Sequence, residues 1–433
     1  MNRVLVPWLL AALPALAQPA VPESPGSEPA DSEPVGYTPP QSTQPPFRIS
    51  GYVDVGWAKA QGNGSSFVPG DTRLPADYYV DPFAPAVNSR GDVASLDAGG
   101  RFVNGFLPYT VGAGGNGTFL VNVASVDLQV SPSGLPVLVF VRAQALPRWN
   151  GNGSETRFLL QQAFGRVSPL SSAELSISAG RFDSVFGIEY LENESNLRLG
   201  ITPSLIARYT TGHPIGVKVL YRFQLPSLSS AISINAAATN HGSQVDSLQA
   251  ESLSFTGVPV GSARLGYELS FLGTELKLGV SGLYGPRNDQ SDPGVTQRQL
   301  GVDARIFVGP FSVWGEYVNV KEDPATAPPK PTGTGVYTIA SGFRAHGFYV
   351  QLAYALPVHG RVLSGASLYG RYDRRKGGFD GTPQLLTSRW TVGGRIELWS
   401  VLQLKAEVLF NRENAGAPTV DNDVFTTSAV FSF

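Results

Sequence analysis

The sequence predicts an all-β protein, a transmembrane antiparallel β-barrel of sixteen strands, and three observations carry that expectation. Apolar and polar residues alternate with a period of two from Phe47 onward; tight turns and long polar connections alternate between the patterned segments; and the chain closes on an aromatic, Phe433, at the end of an alternating strand. Composition agrees. Aromatic residues make up 10% of the chain, and 49 glycines with 34 prolines favour strands and turns over long helices. Only 15% of residues are charged, which is low for a protein whose whole surface faces water.

The N-terminus comes first. Arg3 supplies a basic start, Val4 to Leu16 is an apolar run broken by Pro7 and Pro14, and Ala15-Leu16-Ala17 is the small-x-small pattern of a signal-peptidase site. Residues 1–17 are therefore read as a signal peptide, cut before Gln18. The run is shorter than the roughly 20 apolar residues a spanning helix needs. No later segment reaches that length without a charge, Gly or Pro, so a membrane crossing has to use strands. Residues 18–46, dense in Pro, Ser and Glu, are predicted to be a disordered periplasmic leader, and residues 47–433 the barrel.

Within the barrel, Leu402, Leu404, Ala406, Val408 and Phe410 share one face of a strand and Gln403, Lys405 and Glu407 the other. Arg264 to Phe271, Glu275 to Tyr284 and Trp390 to Leu398 read the same way. A soluble sandwich also alternates, so the connections decide. Long ones are expected at Ala58–Gly117, Pro147–Thr156, Asp183–His213, His241–Gly261, Gly285–Thr296, Glu322–Gly335, Arg374–Thr387 and Glu413–Asp421. Short ones are expected at Ser131–Leu135, Ser168–Ser172, Gln224–Ser229, Leu272–Gly273, Gly309–Pro310, Pro357–Arg361 and Ser400–Val401. An even count returns both ends of the barrel to one side of the membrane. To keep it, Val336–Ala345 is joined across His346-Gly347 to Phe348–Leu356, and Asn196–Tyr209 is left in a loop; fourteen and eighteen strands are the alternatives.

Charge and chemistry exclude several functions. A net charge of −2 gives no electrostatic case for nucleic acid, and the absence of cysteine removes disulfides and thiolate chemistry. His213, His241, His346 and His359 fall in expected loops or turns without metal-ligand spacing, and no G-x-S-x-G elbow is present. No cofactor, metal or catalytic residue is expected, and the protein is read as not an enzyme. The charges whose alternation turns them inward are the informative set. Among them Arg142, Arg264, Glu268, Lys277, Asp303, Arg305, Glu316, Arg371, Asp373, Arg395, Glu397, Lys405 and Glu407 are candidate pore-wall charges, and Arg344 is placed inward with them.

Gly180-Arg181-Phe182-Asp183, then Gly187-Ile188-Glu189-Tyr190 and Pro214-Ile215-Gly216-Val217, resemble the strand-loop-strand pattern of outer-membrane β-barrel porins described as OmpL-like. The likeness is best between Ala173 and Phe223. The long Ala58–Gly117 region departs from the family, as does the lack of an N-terminal coiled coil. The resemblance implies that the third external loop, Asp183–His213, folds into the pore. That makes Asp183, Glu189, Glu192, Glu194, Arg198 and Arg208 candidate constriction residues. It also implies a porin for passive diffusion of small hydrophilic solutes or ions in the outer membrane of a Gram-negative bacterium, associated as a homotrimer. Outer-membrane lipid, lipopolysaccharide and the barrel-assembly machinery, which would read Phe433 as a signal, are the expected partners. The alternatives are a structural or adhesive barrel plugged by the long first loop, and an outer-membrane hydrolase.

Overall fold

Sixteen strands close on themselves, each antiparallel to the next. The structure is a computed structural model that describes residues 46–60, 95–96, 102–103, 118–149, 154–169, 174–240, 258–286, 296–324, 342–358, 360–380, 384–413 and 423–433. The strands are β1 (Phe47–Ala60), β2 (Thr118–Val130), β3 (Val137–Trp149), β4 (Ser154–Val167), β5 (Glu174–Arg181) and β6 (Ile215–Leu225). They continue with β7 (Ser230–Thr239), β8 (Val260–Phe271), β9 (Thr274–Pro286), β10 (Thr296–Val308) and β11 (Phe311–Glu322). The last five are β12 (Phe343–Leu356), β13 (Leu363–Phe379), β14 (Leu385–Leu398), β15 (Leu402–Glu413) and β16 (Val424–Ser432). Closure is made by β1 against β16, with Tyr52 opposite Ser432 and Ala60 opposite Val424. Two short segments, Ser95–Leu96 and Phe102–Val103, pair with each other apart from the barrel. The expected signal peptide, the leader up to residue 45 and most of the first long connection lie outside the described residues.

Alternation sorts the side chains. Leu265, Val280, Leu300, Val302, Leu352 and Val392 point outward and are each more than half exposed, while Asp54, Arg142, Asp303, Arg371, Asp373 and Glu407 point inward and are buried. A water-soluble protein does not surround itself with so continuous an apolar band, and a closed barrel leaves no strand edge unpaired, which is what hydrocarbon demands of a spanning segment. At the expected two-residue turn, Leu272 and Gly273 both adopt left-handed φ (46° and 75°), the conformation that matches the twist of the flanking strands.

Four expectations are corrected. Pro147–Thr156 and Arg374–Thr387 are largely paired strand, with Pro147 opposite Thr156, Arg374 opposite Ser388 and Arg375 opposite Thr387. A tilted spanning strand needs only about 9–11 residues; here the hairpins keep pairing beyond the apolar band, so polarity marks the membrane edge and not the strand end. Arg344 points outward: β12 runs through His346-Gly347 without a bulge, so the phase that buries Gln351 and Tyr349 also buries Ala345 and exposes its neighbour. For the same reason His346 lies within a strand and not in a turn.

Candidate functional site: the inward-folded loop

Residues 182–214, between β5 and β6, fold into the barrel and reach the wall on many sides. The sequence provides for this turn by turn. Gly187 has a left-handed φ of 77°, and a Cβ there would strike the Glu316 carboxylate; its N–H donates to Ser281 Oγ at 3.0 Å. Ile188 N–H donates to Glu316 Oε1 (3.2 Å), and its carbonyl accepts from Arg305 Nη2 (3.3 Å). A short 3₁₀ turn, Glu189–Glu192, and a four-residue helix, Ala207–Thr210, then shape the loop. Phe186, Leu199, Ile206 and Tyr209 seat in an apolar patch with Leu283, Trp314, Val318, Tyr349 and Tyr369 of the wall.

Wall charges satisfy the loop's backbone. Glu407 accepts from Ile201 N–H (2.6 Å), Thr202 N–H (3.0 Å) and Thr202 Oγ1 (2.9 Å), and also from the Tyr369 hydroxyl. Lys405 Nζ donates to the carbonyls of Arg198 (2.5 Å), Gly200 (3.3 Å) and Ser195. Arg371 donates to the Thr202 and Pro203 carbonyls, both at 2.9 Å, and to Asp373 at 3.0 Å; Asp373 in turn accepts from Leu205 N–H (3.1 Å). Arg389 reaches the Pro203 carbonyl, and Arg375 the Tyr209 hydroxyl (2.5 Å). In a low-dielectric interior such charge-assisted bonds are worth about twice a neutral one.

The predicted constriction residues divide. Glu194 is 2% exposed and bonds Tyr52 Oη (2.5 Å) and Gln144 Nε2 (2.7 Å), with Arg142 at 3.4 Å. Glu189 accepts from Ser204 N–H (2.7 Å) and Oγ (2.5 Å). Arg198 is spent inside the loop, donating to the carbonyls of Glu192, Asn193 and Ile201. Asp183 pairs with His213 Nε2 at 2.9 Å, joining the two ends of the loop. Glu192 lies 3.4 Å from Arg305 and keeps 23% of its side chain exposed, the most open carboxylate of the group. The Arg208 side chain lies outside the described residues. Burial raises the Glu189 carboxyl above its ordinary value, against the opposing pull of Arg371 and the two Ser204 bonds.

Of the predicted wall charges, Arg142, Arg305, Glu316, Arg371, Asp373, Lys405 and Glu407 therefore hold the loop. Arg142 also grips Asp127 through two bonds of 2.7 Å. The others pair along the wall: Arg264 with Asp303 (2.7 Å), Glu268 with Arg222 (2.6 Å), Lys277 with Glu275 (3.0 Å) and Arg395 with Glu397 (2.9 Å). Phe433 exchanges backbone bonds with Gly51 at the closing seam, its ring exposed. Tyr52, Gln144, Tyr369, Arg375 and Arg389 were not singled out from sequence. Their inward phase on alternating strands was the available signal, and for Arg375 and Arg389 it was hidden by placing them in or beside a loop.

No protein-family model matches the chain and no curated protein matches its sequence. Among solved structures it is similar to OmpF of Salmonella typhi in complex with daunomycin (TM-score 0.50, 12% identity, 89% of this chain and 97% of that one). It is also similar to the in-vitro-folded trimer form of OmpT, an outer membrane protein of Vibrio cholerae (0.49, 12%, 89% and 99%). A third likeness is to an anion-selective porin from Comamonas acidovorans (0.48, 11%, 89% and 99%). The OmpF likeness shows a shared fold: the chain is a porin-like closed barrel.

Proposed function

We propose that the protein is a channel of a Gram-negative outer membrane through which small hydrophilic solutes or ions diffuse passively. The observation that supports this reading is an inverted lining, apolar outside and charged inside, with a loop clamped across the lumen by the inward charges. The lumen also presents polar groups that the protein leaves to another partner. Among the described residues, Gln161 and Gln299 are buried, yet neither end of either amide has a protein hydrogen-bond partner. Water in the lumen would satisfy them.

The finer assignments belong to the same proposal. The OmpL-like affinity rests on the Gly180-Arg181-Phe182-Asp183 and Gly187-Ile188-Glu189-Tyr190 motifs, which the structure places at the entry to the inner loop and at its first turn. Export by residues 1–17, insertion by the assembly machinery reading Phe433, contact with lipid and lipopolysaccharide, association as a homotrimer and the absence of enzymatic activity complete it. One observation favours a second reading, a barrel plugged in its resting state: residues 182–190 are buried without interruption. Recording in planar bilayers separates the two. Discrete ohmic steps from purified folded protein support the open channel; a folded barrel that inserts without steps supports the plug; and hydrolysis of ester or peptide substrates by the same preparation would favour the hydrolase.

A further inference from the structure

A single row of cross-strand partners runs around the long-loop end of the barrel's outer surface and changes character half-way. On β6 to β9 it reads Val217, Ala238, Gly261 and Tyr284, and on β10 to β12 it continues as Arg298, Lys321 and Arg344. One step along, Lys376 of β13 lies opposite His346 of β12, and Arg374 opposite Phe348. Arg298, Arg344, His346 and Arg374 are exposed. The carboxylates nearby do not balance them. Asp323 pairs with Arg298 (2.9 Å) and is 3.9 Å from Lys321, and Asp380 pairs with Arg344 (3.2 Å). Among the described residues none lies within ion-pair distance of Arg374 or Lys376. The connection that follows Glu322, residues 323–342, holds Asp323 as its one acidic residue and adds Lys330.

Level with Arg374 and directly below the other cations, on the same outward face, sits an aromatic band. Tyr372 packs against Trp390 (ring centroids 4.6 Å) and Phe348 (6.0 Å), with Tyr317 opposite Phe348 on β11. Aromatic rings mark the edge of the hydrocarbon in a transmembrane barrel, so the cations stand at headgroup height. Residues two apart on a strand are about 7 Å apart, and cross-strand partners about 5 Å. Arg344, His346, Arg374 and Lys376 thus share a patch about 15 Å across. That exceeds what one phosphate needs and suits a head bearing two, with acyl chains lying along Val350, Leu352 and Leu368.

We propose that this sector, centred on Arg344, Arg374 and Lys376, is a binding site for a multiply phosphorylated lipid of the outer leaflet, and that the uncharged β6–β9 sector is not. The proposal rests on the membrane placement above and is independent of whether the barrel conducts. The probe is lipid A, an acylated disaccharide bisphosphate, measured by native mass spectrometry on the full barrel in detergent. Its dephosphorylated form, phosphatidylglycerol and inorganic pyrophosphate are run beside it.

Wild type is expected to retain the bisphosphate at least tenfold more tightly than the dephosphorylated lipid or phosphatidylglycerol. R344Q/R374Q/K376Q should lose that preference, and K59Q/R361Q, which removes two exposed charges elsewhere, should keep it. Equal retention by R344Q/R374Q/K376Q, itself shown to be folded by its heat-dependent gel mobility, would overturn the site. So would pyrophosphate displacing the lipid at equal concentration, because the site would then read free phosphate and not a lipid. A wild-type barrel that failed to enter lipid nanodiscs at all would instead strike at the membrane placement.

Discussion

Tyr52 on the first strand donates its hydroxyl proton to Glu194, 142 residues away at the far reach of the inner loop, at 2.5 Å with both groups buried. The same carboxylate lies 3.4 Å from Arg142, so the loop is tied across the lumen to β1 and β3. Replacing Glu194 with Ala leaves the Tyr52 hydroxyl and the Gln144 amide without that acceptor and should destabilise docking by about 3–5 kcal/mol, the cost of breaking a buried charged pair. Tyr52→Phe removes one bond to a charged group and should cost about 1.5–3 kcal/mol. Limited trypsin cleavage after Arg198 or Arg208 should be fastest for Glu194→Ala, intermediate for Tyr52→Phe and slowest for wild type; equal rates would mean that this tie does not hold the loop.

Selectivity should follow exposure. Glu192 keeps part of its side chain open, whereas Glu189 and Glu194 are enclosed by their partners. Glu192→Gln should therefore shift the reversal potential toward anions in a low-salt gradient, and Glu413→Gln with Asp421→Asn in the last connection should do much less. The shift should shrink as salt shortens the Debye length from about 8 Å at physiological strength to about 3 Å at 1 M. A reversal potential unmoved by Glu192→Gln would remove this carboxylate from the conduction path.

Acid should tighten the loop. The Glu189 carboxyl is raised from its ordinary value of 4.5 because burial disfavours its charged form. A carboxyl raised in the docked state favours docking most at pH below its ordinary value, and that contribution fades as pH climbs through the raised value. Loop cleavage should accordingly quicken as pH rises from about 4.5 through that window, and Glu189→Gln, which cannot ionise, should flatten the dependence. A profile identical in the two proteins would assign any pH effect to other groups.

The apolar belt predicts a depth dependence. Val392 and Val408 face each other in the middle of β14 and β15, whereas Leu404 and Ile396 sit nearer the Trp399–Val401 turn. Val392→Arg should cost roughly 2–4 kcal/mol in folding into lipid, and Leu404→Arg less. Urea titrations of folding into vesicles measure both, and the reverse order would misplace the belt.

The strands, their even number and the short turns were legible because backbone pairing and a two-sided environment both impose a period of two. Asp183–His213 was legible as one connection because its residues break that period. The strand ends at Pro147–Thr156 and Arg374–Thr387 were not, since hydrophobicity reports where the membrane stops while hydrogen bonding goes on. Arg344 was misplaced because the His346-Gly347 join left the phase of β12 open. In the inner loop, charge type was readable but its use was not. Glu407 looks like a wall charge until its register against Thr202, 205 residues away, is known, and nothing local to either residue encodes that meeting.

The tie at Glu194 has a consequence for how the molecule is completed. Among the barrel strands, β1 and β16 are the neighbours with no chain running directly between them, and the loop's grip spans that seam: Glu194 is held by Tyr52 of β1, and the carbonyl of the adjacent Ser195 by Lys405 of β15, one strand beyond β16. Two successive residues thus straddle the join like a rivet through overlapping plates. The two halves of that fastening can be made together only once the first strand has met the last, so the loop's final seating records that the ring has shut, and loosening the seam should loosen the loop with it.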